Sequence, residues 1–151
     1  LDLDHSALTL FANGTWLRLK QQTISTAPTT VLTGTIYNPP GFKARGGLAW
    51  DIGGLSFAGT VNYLDGETDT GVTPHKAVAS WTTVDANVSY KVANADSRLS
   101  GVRISLAISN LFDRDPPRAA SPALLNEGLS FDSTNASIIG RFVSLSLSKA
   151  W

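Results

Sequence analysis

The sequence has no cysteine, no methionine, only two histidines in 151 residues and no formal net charge. Without cysteine there is no disulfide framework, no thiolate zinc site and no thiol nucleophile, and the redox compartment stays open. Twelve Lys and Arg against twelve Asp and Glu remove the general electrostatic case for a nucleic-acid partner. Charged residues are 16% of the chain, against roughly 25% in an average soluble domain, which excludes extended disorder. No apolar run nears the roughly 20 residues of a spanning helix. There is no recognisable export signal, and the chain opens on Leu1 rather than Met. The expectation is therefore a piece of a larger protein.

Catalytic chemistry is equally thin. His5 and His75 stand apart, and no Gly-x-Ser-x-Gly nucleophile elbow occurs. The reading is no enzyme, no metal and no cofactor. Asp65, Glu67 and Asp69 form a small acidic cluster. Hard cations take several oxygens, but a solvated loop is the preferred reading of these three.

What the chain does have is period-two alternation from end to end, with almost no helical period. Val102, Ile104, Leu106 and Ile108 oppose Arg103, Ser105, Ala107 and Ser109. Val143, Leu145, Leu147 and Trp151 oppose Ser144, Ser146, Ser148 and Ala150. The same alternation predicts strands over Trp81–Tyr90, Leu55–Tyr63, Ala44–Ile52 and, more noisily, His5 to Lys20, six in all. Long and short connections alternate. Gln21–Gly41, Gly66–Ser80 and Asp113–Ile139 are long, while Asp51-Ile52-Gly53-Gly54 is a tight hairpin and Val92–Gly101 a medium turn. An up-and-down meander then gathers the long loops at one end, as outer-membrane barrels do.

Strand length and aromatic position agree with that reading. A tilted spanning strand needs about 9 to 11 residues. Trp16, Tyr63 and Trp81 fall at the long-loop level, and Trp50, Phe57, Tyr90 and Trp151 at the other, like the girdles of membrane interfaces. The opposite face carries Asp85, Asn87 and Arg103, which would each cost several kcal/mol if unpaired in a dry core. They are read as lining a wet lumen, paired with each other or holding a plug, and structural rather than ligand-recognising. Six strands do not close such a barrel, which starts at eight, so either the chain oligomerises or, as the missing start favours, further strands lie elsewhere.

Four motifs in order now resemble a known family. Asn110-Leu111-Phe112-Asp113, closing a strand, looks like the penultimate-strand motif of TonB-dependent outer-membrane receptors. Thr82 to Tyr90 is similar to the strand before it. Gly140-Arg141-Phe142-Val143, leading to an aromatic terminus at Trp151, resembles the final strand. Asn38-Pro39-Pro40 followed by Lys43-Ala44-Arg45 resembles the approach to an earlier one. The sequence departs from the family pattern at Lys149 and at Ile139.

The resemblance implies that residues 1–151 are the C-terminal six strands of a 22-stranded antiparallel barrel, with the plug and N-terminal strands absent. It implies an integral protein of the bacterial outer membrane, surrounded by outer-membrane lipid. It also implies uptake of a scarce, bulky solute such as an iron chelate, cobalamin or oligosaccharide. The uptake would be energised by the TonB complex through the absent N-terminal region. Trp151 would then belong to the signal read by the barrel-assembly machinery. The long loops would contribute to solute capture, the solute itself being unidentified. Two other classes are carried alongside: a passive porin or structural barrel, and a soluble β-sheet binding module.

Overall fold

The computed structural model describes residues 6–92 and 98–150. His5, residues 93–97 and Trp151 lie outside the described residues, so the expected role of Trp151 has no structural counterpart here. The chain folds as an antiparallel β protein. Its strands are β1 (Ser6–Trp16), β2 (Lys20–Gln21), β3 (Thr30–Val31), β4 (Phe42–Ile52), β5 (Leu55–Leu64), β6 (Glu67–Asp69), β7 (Lys76–Val78), β8 (Trp81–Lys91), β9 (Val102–Ser109) and β10 (Phe142–Lys149). A short helix, α1 (Pro122–Asn126), lies between β9 and β10.

The six long strands form one open antiparallel sheet in the order β1-β4-β5-β8-β9-β10. Each pairs with the next long strand in the chain, so the sheet is a meander, and β1 and β10 are its two edges. Gly53 takes a positive φ of 58° in the β4–β5 turn, a conformation that glycine adopts without the Cβ penalty.

Register is what makes the two faces. Cross-strand partners share a face, and the pairing sets Leu8, Trp50, Phe57, Val88, Leu106 and Leu145 in one row across all six strands. The next row is Leu10, Leu48, Gly59, Ala86, Ile108 and Val143. Between them, on the other side, runs Thr9, Ala49, Ala58, Asn87, Ala107 and Ser144. A slip of one residue anywhere would mix the two sets. Among the described residues nothing covers the apolar rows: even the central Leu106 is 37% exposed, and Leu145 at the edge is 74% exposed.

The buried apolar cluster is elsewhere. It consists of Ile36, Val78, Ala119 and Leu124, with Leu129 packed against it. These residues come from the three long connections, which fold together as a cap at one end of the sheet. Ile36 donates its N–H to the Thr68 carbonyl, and Thr68 returns one to Gly34, bridging the first connection to the second. Ala119 bonds to Ser130 within the third. Pro122 starts α1, where its missing N–H costs nothing.

Two sequence expectations are corrected. The first strand ends at Trp16, not near Lys20. Pro39 and Pro40 precede β4 and have no N–H to extend the ladder, so Lys20–Gln21 pairs with Thr30–Val31 instead. Trp81 does not belong to the apolar face: it pairs with Leu64, in phase with Asn62 and Thr83 on the polar side. Its place at that level is taken by Phe42, whose ring lies 6.1 Å from both Trp16 and Tyr63. Trp50, Phe57 and Tyr90 do form the second level, toward the short turns.

Candidate functional site

The polar face and the cap above it hold most of the organised polar chemistry. Asp85 sits on β8 and uses both carboxylate oxygens. Oδ2 accepts from the Asn62 side-chain amide at 2.8 Å, and Oδ1 accepts the Asn110 backbone N–H at 2.9 Å. It thereby ties β5 to the end of β9. Asn87 lies one row further, across from Ala58 and Ala107. Arg103 stands across from Lys91, six residues along β8 from Asp85, or about 20 Å. It donates to Ser89 Oγ at 3.4 Å. All three predicted residues share the polar face, but Asp85 and Arg103 do not meet.

The Asn110–Asp113 motif is a locked turn. Asn110 and Asp113 both take positive φ, 50° and 53°, which Asn and Asp tolerate better than other non-glycine residues. The Asn110 side chain accepts the Arg114 N–H at 2.9 Å and donates to the Arg114 carbonyl at 3.1 Å. Leu111 donates back to the Val84 carbonyl at 2.7 Å, while Phe112 remains 66% exposed. Asp113 reaches the second motif: its Oδ1 accepts the Arg141 N–H at 2.6 Å, and its Oδ2 lies 3.6 Å from the Arg141 guanidinium. A Cβ on Gly140 would come within 2.6 Å of Asp113 Oδ1, so glycine is what lets the two segments close.

The acidic residues separate, and the expectation of a solvated loop is corrected: Asp69 is buried and Asp65 and Glu67 only partly exposed, because the connections fold over them. Asp65 Oδ1 accepts from Gly66 N–H and Tyr63 Oη–H. Asp69 is fully buried and accepts the N–H groups of Gly71 and Ala120, joining the second connection to the third. Glu67 instead faces Asp132 of the third connection, with the Asn135 amide donating to both. Burial, then the neighbouring Asp132 charge, raises the Glu67 carboxyl to about 7. Asp132 also accepts the N–H of Tyr37 at 2.7 Å. Among the described residues no group of three or more His, Cys, Asp or Glu side chains converges on a metal position.

Below the cap, a cleft of about 420 Å³ opens onto the polar face, lined by Lys43, Arg45, Asn62, Trp81, Thr83 and Asn135 among others. Lys43 and Arg45 appear in the sequence only as part of a motif, and Asn62 and Asn135 carry no local signal. Their relation depends on strand register and on where the last connection folds. No family model, curated protein or solved structure matches the chain.

Proposed function

We propose that the six-stranded sheet is part of the wall of an outer-membrane β-barrel, the C-terminal portion of a TonB-dependent transporter. In this reading the apolar face meets lipid and the polar face lines the lumen. The three long connections cap the outer mouth, where they contribute to capture of a scarce, bulky solute. Energy from the TonB complex enters through a region outside this chain, and the assembly machinery inserts the barrel. The chain itself performs no covalent chemistry.

The observation that carries the proposal is the uncovered apolar face, continuous in register over six strands, while the buried apolar cluster lies in the loops. In water that face would be an aggregation surface, and the edges β1 and β10 would invite further pairing. In a bilayer, with further strands completing the wall, both liabilities vanish. Eleven-residue strands such as β1 and β8 span about 26 Å when tilted by about 45°, close to the ~25 Å apolar band of such barrels.

The absence of native cysteine makes the test clean. Single cysteines replace Leu106 or Ser105 in the outer-membrane fraction of expressing cells. Leu106→Cys should resist a charged, water-soluble thiol reagent until detergent is added, whereas Ser105→Cys should react in the intact membrane. Equal labelling at both positions, or a monodisperse monomer in plain buffer, would overturn the membrane reading. A steady open conductance in planar bilayers would instead identify a passive porin.

A further inference from the structure

The cleft on the polar face is chemically one-sided. Two adjacent cross-strand rows make its floor, Thr15–Lys43–Leu64–Trp81 and Asn13–Arg45–Asn62–Thr83. Lys43 and Arg45 are two residues apart on β4, so they rise from the same face about 7 Å from each other. Both are exposed, and neither has an ion-pair or hydrogen-bond partner among the described residues. No carboxylate lines the cleft. Asp85, on the same face, borders the neighbouring hollow together with Arg45 and is hydrogen-bonded by Asn62 and Asn110 without forming an ion pair among the described residues. Those of Glu67 and Asp132 stand behind the Asn135 amide.

At the other end of the same row stands Trp81, two strands from Lys43 and about 10 Å away. Its indole N–H donates to the Arg114 carbonyl at 3.3 Å, which fixes the ring. A concave site with an aromatic wall and a few convergent polar groups is the usual form of a small-molecule pocket. Two cations with no direct ion pair among the described residues favour an anion that both can hydrogen-bond. The geometry points to a binding site for a small organic carboxylate bearing a planar ring, its acid group held by Lys43 and Arg45 and its ring against Trp81. That the bound molecule is also the transported solute rests on the function proposed above.

The test is calorimetric titration of the full chain in detergent with three probes: 2-naphthoate, the uncharged ring 2-naphthol, and acetate. Naphthoate should bind at least tenfold more tightly than either of the others. Lys43→Gln combined with Arg45→Gln should weaken naphthoate at least tenfold, and Trp81→Leu about fivefold. Lys91→Gln with Arg103→Gln, on the same face at the far end, should change it less than twofold. Equal binding of naphthol and naphthoate, or indifference to the Lys43 and Arg45 changes, would overturn the site. So would an equal loss in the far-end control. Because Trp81 also bonds Arg114, the exposed pair Lys43 and Arg45 decides the matter if Trp81→Leu does not fold. Face labelling at Leu106 and Ser105 involves no ligand, so failure of the site and failure of the transport reading give different results.

Discussion

Asp113 and Arg141, far apart in the chain, meet where β9 ends and β10 begins: one carboxylate oxygen takes the Arg141 backbone N–H at 2.6 Å and the other faces its guanidinium at 3.6 Å. The two contacts are unequal in value. The ion pair is half-exposed, and such pairs contribute about 0.2–1 kcal/mol. The bond to the backbone N–H is charge-assisted and worth about 1.5–3 kcal/mol. We therefore expect Asp113→Ala to destabilise the folded protein by about 2 kcal/mol and Arg141→Ala by less than about 1 kcal/mol. Denaturant unfolding in detergent reads both. Equal costs would mean that the pair acts through its charges alone.

Asp85 and Asn87 occupy the same strand and face but differ in what they hold. Asp85→Ala removes the acceptor of the Asn110 N–H, in a residue that is 6% exposed. A buried donor left unmatched costs about 1–3 kcal/mol. Asn87→Ala should stay within about 0.5 kcal/mol, as a substitution away from any network does. The same unfolding measurement decides it. A larger loss at Asn87 would place the structural anchor of β8 elsewhere.

Much of this was readable from the sequence, and the reasons are specific. Alternation from Val102 to Ile108 identifies β9 because side chains on a strand alternate strictly. The same parity, carried back from Val84, assigns Trp81 to the polar face; its position at the strand's start invites the opposite reading. The cap was not readable. Ile36, Val78, Ala119 and Leu124 lie in three separate connections with no shared period. Nothing local tells Asp69 that its partner is the Ala120 N–H. The Lys149 departure also finds a physical place: it stands across from Val102 at the short-turn end of the apolar face, and its amine folds back to the Arg98 carbonyl at 2.9 Å.

The two faces give a sharp contrast on neighbouring residues. Leu106 pairs with Val88 and Leu145 on the apolar side, and Ser105 with Ser89 and Ser146 on the polar side. If the apolar face meets lipid as proposed, Leu106→Arg should cost about 2–4 kcal/mol near the bilayer midplane, and Ser105→Arg clearly less. Reversible folding into lipid vesicles, titrated with urea, measures both. Equal costs would contradict the assignment of faces.

Glu67 makes the cap sensitive to pH. Its carboxyl is raised from 4.5 to about 7, first by burial and then by the Asp132 charge. The folded cap therefore holds its proton more tightly than the unfolded loops do. The stabilisation is full below about 4.5 and is lost as pH rises through about 7. Since the group is only partly buried, solvent screening reduces the effect to about 1 kcal/mol. Hydrogen exchange of the Thr68 and Ile36 amides, corrected for intrinsic rates, should quicken between about pH 4.5 and about 7 in the wild type and level off above it. Glu67→Gln should flatten that dependence. An unchanged profile in Glu67→Gln would assign the titration to another group.

Leu124 is fully buried and central to the cap, while the sheet it sits above has no buried apolar cluster of its own among the described residues. The cap and sheet are thus held by different forces, side-chain packing in one and the backbone ladder with its surroundings in the other. Leu124→Ala should cost about 2–5 kcal/mol of cap stability, from lost burial and the cavity left behind. The loss should fall on the loops: amides of Ile36, Leu129 and Ala119 should exchange faster, by tenfold for each 1.4 kcal/mol or so. Amides in β4, β5 and β8, bonded on both sides within the sheet, should keep their protection. Exchange that quickens uniformly across cap and sheet would show one cooperative unit, and the loops would then be part of the sheet's stability rather than a lid resting on it.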